Sequence, residues 1–355
     1  MTGRPHLAVV GATGAVGEVL LGLLALRRDV WGEIRPVASA RSAGRTVAVR
    51  GEGVEVLPLT EEALAGIDVA VFAVPAVVAA QWAPIAAAKG IVVVDGSAAF
   101  RADEDVPLVV PEVNAAALRL RSRGIVASPA ATTLAMTAVL GALHAEYGLA
   151  QLVVATYQAA SGEGRAGESA LRTQTALVTG TTAGRQTGDL RAVIAEDGPF
   201  AAPLAHNAVP WCGGAPGDGG WSGEELGLRA ETRRILGLPA LNVSATCVRV
   251  PLVRTHALAV HARFEREVTQ EHAQDILRDA PGIVLYDDPV AGEFPTPNDA
   301  VGTDPVWVGR VRRALDEPEA LDLFLCGDNL RKGSALNLLQ IAELVAGELT
   351  PGREP

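Results

Sequence analysis

Three features of the sequence together predict an α/β chain of two domains. Short β-branched runs alternate with amphipathic stretches over the first third, a glycine-rich turn directly follows the first run, and longer strands take over from about Leu152. The first domain is expected to be Rossmann-type, with a parallel sheet covered on both faces, and the second an α+β domain with a mixed sheet. The runs "LAVVGA", "DVAVFAV" and "GIVVVDG" have the continuous apolar character of strands buried on both faces. Between them, "GEVLLGLLALR" and "VVAAQWAPIAAAKG" have helical length and composition. "GIVAS" ends the set and leads into "VASPAATTLAM", a strand, a Ser-Pro turn and the start of an apolar helix. Such turns expose a side chain and place it at a helix N-terminus that stabilises negative charge.

Beyond Leu152, "LVVATYQAAS", "VSATCVRVPLVRTHALAVHARF" and "DLFLCGDN" indicate the mixed sheet. Residues Asn207–Glu225 are rich in Gly and Pro and are expected to form a loop. "SALNLLQIAELVAGEL" has the apolar spacing of a helix that returns to the first domain, followed only by the tail "TPGREP". The expected boundaries are 1–128, 129–330 and 331–355.

The chain has 355 residues, about half of them hydrophobic, which is enough for two cores. A formal charge of −11 argues against general nucleic-acid binding, which needs a basic face. The N-terminus runs straight into a strand without a signal-like apolar core, and no apolar run approaches the ~18 residues of a membrane helix, so a cytoplasmic protein is expected. The three cysteines, Cys212, Cys247 and Cys326, form no CxxC pair and no cluster with histidine, so no metal site is expected. Lys89 and Lys332 are the only lysines; arginine supplies nearly all the positive charge.

In "VVGATGAVGEVLLGLL", Gly11, Gly14 and Gly17 lie between a strand and a helix, with Thr13, Ala15 and Val16 completing the turn. Glycines there let the backbone turn tightly and approach a pyrophosphate seated on the helix N-terminus. The triplet alone also fits a doubly wound domain without a ligand; its place at the first strand–helix junction favours a dinucleotide. The next strand ends in "VASARSAGR". An acidic residue there would bind the ribose 2′-hydroxyl of NAD, whereas Ser39 and Arg41 offer a hydroxyl and a guanidinium to a 2′-phosphate. NADP(H) is the expected cofactor.

Six motifs, "GATGAVG", "ASARSAG", "DGSAAFRADEDVPLVVPEVN", "YQAASGEGRAG", "NVSATCVRVPLVRTHA" and "DNLRKGSALNLLQIAE", run in order over nearly the whole chain. Together they resemble aspartate-β-semialdehyde dehydrogenases. The resemblance implies the two-domain fold, NADP use, a substrate and dimerisation role for the second domain, a homodimer, and a small amino-acid-like substrate. It places the family's nucleophilic cysteine on Ala131 and the adjacent asparagine on Ala130, so both functional groups are missing. By the same resemblance Gln158 positions substrate, Arg249 holds its carboxylate, and His256, seven positions later, is the acid/base. Glu231 corresponds to the residue that binds the substrate amino group. Arg234 and Arg101 correspond to phosphate-site cations, and Asn329 to a residue near the nicotinamide. Val74-Pro75-Ala76 replaces a glycine-containing segment along which the cofactor passes, and Pro75 has no N–H to offer it. Taken singly, Arg249 also fits a paired core arginine and His256 a satisfied buried histidine.

Acyl transfer through an enzyme thioester needs a thiolate, and Ala131 has none. Thr132 is adjacent, but a hydroxyl without an aimed base is a poor nucleophile. Hydride transfer needs no thiol: a carbonyl or imine held by Arg249 can accept hydride with a proton from His256 or water. The sequence therefore points to a reductase working without a thioester. The alternatives are a non-catalytic paralogue that binds ligand or pairs with an active subunit, and a dehydrogenase whose nucleophile was removed by engineering.

Overall fold

A computed structural model describes residues 3–27, 29–214 and 218–350. The chain divides into two compact units, one of residues 1–130 with 330–355 and one of residues 131–329.

The first unit opens with β1 (Leu7–Val10), α1 (Ala15–Leu24) and β2 (Ile34–Ala38). There follow the hairpin strands β3 (Thr46–Val49) and β4 (Glu52–Glu55), the short β5 (Leu57–Pro58), and β6 (Val69–Phe72). Next come α2 (Ala76–Ala88), β7 (Val92–Asp95), the single turn α3 (Pro111–Asn114) and β8 (Ile125–Ala127). The strands pair in parallel in the order β5-β2-β1-β6-β7-β8. β1 and β6 are buried at every position, which is why they are uninterrupted apolar runs.

The second unit contains α4 (Ala131–Tyr147), β9 (Leu149–Gln158), α5 (Gly164–Val178), α6 (Asp189–Val193), α7 (Gly223–Leu236), β10 (Asn242–Arg249) and β11 (His256–Phe264). It continues through α8 (Gln270–Asp279), β12 (Ile283–Leu285), α9 (Pro297–Ala300), β13 (Val306–Arg313) and β14 (Ala320–Gly327). Its sheet has the order β10-β9-β11-β14-β13-β12. The outer pairs β10/β9 and β12/β13 are parallel and the inner ones antiparallel, so the sheet is mixed as expected. Side chains of α4, α7 and α8 pack on one face of it, around Met136, Leu140, Leu228, Leu258 and Leu277. Each such buried side chain contributes roughly 1.5–3 kcal/mol.

The last helix, α10 (Asn337–Leu349), belongs to the first unit and follows one π-helical turn, Arg331–Leu336. Leu338, Leu339, Ile341 and Val345 enter the core made by Leu7, Leu20, Val71 and Trp31. Lys332, almost fully buried, reaches both oxygens of Glu112 at 2.7 and 2.8 Å and the amide oxygen of Gln340 at 2.8 Å.

The glycine- and proline-rich stretch differs from its expectation as a continuous loop. α7 begins inside it at Gly223, because Ser222 and Glu225 close a reciprocal capping box. Residues 215–217 of that stretch, and residues 351–355 of the tail, lie outside the described residues.

Candidate active site

In the first unit the glycines have separable roles. Gly11 has φ +95°, and a Cβ there would lie 2.2 Å from the carbonyl oxygen of Ala73. A Cβ on Gly17 would lie 2.2 Å from the carbonyl oxygen of Gly11, so the second close approach is between α1 and its own entry loop. Gly14, the residue before α1, has more room, at 3.2 Å from the same oxygen, and α1 has no side-chain cap. A helix N-terminus behind a tight glycine turn, without a capping side chain, fits a pyrophosphate. Thr13, Ala15 and Val16 line the turn half-buried. The backbone N–H groups of Gly11 and Ala12 donate to Val37 at the end of β2, so Ser39 and Arg41, both exposed, follow close to the glycine turn. Arg101 spends two donors on main-chain carbonyls, Nε on Ser128 and a terminal nitrogen on Gly96, both at 2.9 Å.

The second unit gathers polar side chains at one end of its sheet. Parallel pairing sets Gln158, the last residue of β9, directly beside Arg249, the last of β10. Antiparallel pairing of β9 with β11 brings His256, the first residue of β11, to the same end. All three are buried.

Ala131, half-buried, is the first residue of α4. The next side chain, Thr132, donates to a carboxylate oxygen of Glu224 at 2.9 Å, and the Gln158 amide donates to the same oxygen at 3.4 Å and to Thr156 Oγ1 at 3.2 Å. Glu224 thus ties the start of α4 to Gln158. It lies in the first turn of α7, where the helix dipole favours a carboxylate. Glu231, also buried, and the half-buried Arg234 sit on the same helix. At the helical rise, Glu231 is about 10 Å further along than Glu224. The carboxylate on Gln158 is therefore one that sequence reasoning missed. The signal for it was the Ser222–Glu225 capping box, which starts the helix early enough to make Glu224 a first-turn residue.

Arg249 donates to the carbonyl oxygen of Ala159 at 2.8 Å and to Glu163 at 2.6 Å. Ala159 also donates its N–H to Nδ1 of His256 at 3.1 Å. With Nδ1 an acceptor, the proton of the neutral ring is on Nε2. Burial, reinforced by the Arg249 guanidinium, pushes the imidazole pKa down to about 3. The histidine is neutral at physiological pH.

The residue before it, Thr255, is fully buried at φ +77°, a conformation that β-branched residues rarely adopt. Its N–H donates to Asn329 Oδ1 at 2.9 Å, and the Asn329 amide donates to Ser161 Oγ at 3.0 Å. Asn329, which the resemblance puts near the nicotinamide, has an internal task here: it holds the strained entry to His256.

The cysteines are free and buried. Burial pushes the thiols of Cys212 and Cys326 up to about 12 and that of Cys247 up as well, so none is a thiolate near neutral pH. Among the described residues there is no group of three or more His, Cys, Asp or Glu side chains able to hold a metal, and no helix long and apolar enough to cross a membrane.

Two family models match the chain: the NAD-binding domain of semialdehyde dehydrogenases over residues 6–121, and their dimerisation domain over residues 140–332. An aspartate-semialdehyde dehydrogenase of Corynebacterium melassecola is 46% identical over 346 residues, covering 96% of this chain and 98% of that protein. Another, from Bacillus subtilis, is 38% identical over 339 residues, covering 95% of this chain and 96% of that protein. The structure of aspartate semialdehyde dehydrogenase II from Vibrio cholerae, complexed with ASA, superposes with a TM-score of 0.89 at 38% identity. That match covers 97% of this chain and 98% of the other. The chain belongs to the aspartate-semialdehyde dehydrogenase family of pyridine-nucleotide-binding oxidoreductases.

Proposed function

We propose that this member of the family is an NADP(H)-dependent reductase that converts a carbonyl or imine of a small amino-acid-like substrate without a thioester intermediate. One observation carries the reading. Position 131, at the start of α4 and next to the Thr132–Glu224–Gln158 chain, is alanine, while the rest of the polar end of the sheet is present and ordered. No buried thiol replaces it, since Cys212, Cys247 and Cys326 are all held protonated.

NADPH, when bound, supplies the hydride. Arg249 retains further N–H donors beyond those used on Ala159 and Glu163, and these hold the substrate carboxylate. His256 donates from Nε2 to the carbonyl oxygen. A neutral imidazole polarises that bond and stabilises the alkoxide formed as the carbon–oxygen π bond opens. Water then supplies the proton that completes the alcohol. Gln158, anchored on Glu224 and Thr156, holds the substrate chain in place. With aspartate semialdehyde the product is homoserine, and the test is product analysis by mass spectrometry.

For the cofactor, Ser39 and Arg41 support NADP over NAD. Arg41→Ala is expected to weaken NADPH binding about tenfold, the loss of one charge-assisted hydrogen bond, and to leave NADH binding nearly unchanged. Fluorescence titration with both nucleotides measures this, and an equal loss for both argues against a 2′-phosphate contact.

The homodimer is proposed through the second unit's sheet. Its face away from α4, α7 and α8 carries Val153 and Tyr157, 42% and 37% exposed, with the Tyr157 ring 6.2 Å from that of Phe324. An apolar sheet face of this kind suits a second copy.

A further inference from the structure

The ladder between β11 and β14 ends at the pair His256–Gly327, and beyond it the two chains are joined by side chains. Asp328, fully buried, accepts from Arg254 Nε at 2.9 Å through one carboxylate oxygen and from the Gly302 N–H at 2.7 Å through the other. Asn329, the next residue, accepts from the Thr255 N–H at 2.9 Å. Two consecutive residues after β14 thus hold the two consecutive residues before His256.

The anchoring side of this clasp is fixed. Gly302 follows α9, whose Ala300 is packed with Ala257 of β11 and Cys326 of β14. A carboxylate fastened there, away from water, makes a charge-assisted bond to Arg254 that yields little. The held side is strained. Thr255 is buried at φ +77°, and its hydroxyl finds no hydrogen-bond partner among the described residues. Nothing in its own side chain therefore favours a conformation that β-branched residues rarely adopt. Asn329 fixes the Thr255 N–H, and the ion pair fixes the residue before it. If Thr255 were released it would relax to negative φ, and the chain would enter His256 in another direction. The bond from the Ala159 N–H to Nδ1 of the imidazole, at 3.1 Å, depends on that entry.

We infer that Asp328 and Arg254 are positioning residues for His256: their ion pair holds Thr255 in its strained conformation, which keeps Nδ1 on Ala159 and leaves the Nε2–H for the carbonyl oxygen. The role rests on the reading of His256 as the donor to that oxygen. Asp328 and Arg254 act only through the histidine.

The test is nuclear magnetic resonance of the isotope-labelled, full-length protein, reading the nitrogen–nitrogen coupling across the bond from Ala159 to His256 Nδ1. His256→Gln assigns the signal. Asp328→Asn keeps the side chain's shape but turns an amide NH₂ towards Arg254 or Gly302, and is expected to lose the coupling. Arg254→Ala is expected to lose it too, and Arg254→Lys, which can still donate to Asp328, to retain it. In carbonyl reduction, the two variants that lose the coupling are expected to lower kcat at least about tenfold, with KM changed less than about twofold. Persistence of the coupling in folded Asp328→Asn or Arg254→Ala overturns the clasp, as does its loss in Arg254→Lys. Unchanged kcat in a variant that has lost the coupling overturns the positioning role. If Asp328→Asn does not fold, the two Arg254 variants decide, since that side chain is 27% exposed. The coupling is read without turnover. The expected pattern without any product removes the reductase reading alone, whereas product with an unaffected coupling removes the clasp alone.

Discussion

Gly11→Ala is expected to destabilise the first unit by at least about 3 kcal/mol and to abolish nucleotide binding. Two penalties combine. The new Cβ would lie 2.2 Å from the Ala73 carbonyl oxygen, which is main chain and is held because the Ala73 N–H bonds Val10 at 2.8 Å. At φ +95° an L-residue also carries the steric strain of positive φ, on the order of 1–2 kcal/mol. Relief of either penalty moves the end of β1 against the end of β6, which opens the turn on which the pyrophosphate would sit. Gly22→Ala in the same unit is the control. It lies within α1 with open space around its Cβ and is expected to be neutral or to stabilise by up to about 1 kcal/mol. Denaturant unfolding and NADPH titration of both variants provide the comparison. Wild-type stability in Gly11→Ala contradicts the crowding seen here.

His256 is expected to make the protein acid-sensitive in a window set by its own pKa. The native ring, held near 3 by burial and by Arg249, stays neutral as pH falls, whereas the unfolded ring takes up a proton at the ordinary value near 6.5. The stabilisation is complete above pH 6.5. It is lost as pH falls towards 3, at about 1.4 kcal/mol per pH unit once the unfolded ring is charged. Ordinary carboxylates titrate below about pH 5, and Asp95 and Glu343, which burial pushes up, are common to both proteins, so the clean comparison is between pH 6.5 and 5. Over that interval the unfolding free energy of wild type is expected to drop by about 1–2 kcal/mol more than that of His256→Gln. Parallel curves for the two proteins contradict a neutral buried imidazole. The same neutrality implies that turnover carries no inflection near pH 6.5 from this residue.

The parts of the fold that depend on local pattern are legible in sequence. β1 and β6 are recognisable because strands buried on both faces need apolar residues at every position, and α10 because its apolar spacing matches a helix lying on a core. The glycine turn is equally clear, since Gly11 and Gly17 are required by backbone approaches that no other residue allows. The hairpin of β3 and β4 is not, because most of its residues are exposed and the polar residues along it conceal the alternation.

At the site, Gln158, Arg249 and His256 are named in the sequence by the resemblance, and each begins or ends a strand. Their partners are not. Glu163 meets Arg249 across 86 positions, and Glu224 meets Thr132 across 92, pairings that no local pattern encodes. Glu224 is further hidden by the glycines and prolines before it, which give a helix start the texture of a loop. Asn329 illustrates the same limit. Its motif marks it as functional, but only the structure shows its side chain holding the strained Thr255.

The most direct measurement is mass-spectrometric product analysis after the purified protein is incubated with NADPH and aspartate semialdehyde, alongside His256→Ala. Homoserine formed by the wild type and absent from the variant is the expected result, and it establishes carbonyl reduction without a thiol. If NADPH binds but no homoserine appears, or if a parallel incubation with NADP and phosphate in place of NADPH yields an acyl phosphate, the thiol-free reduction of this substrate is contradicted.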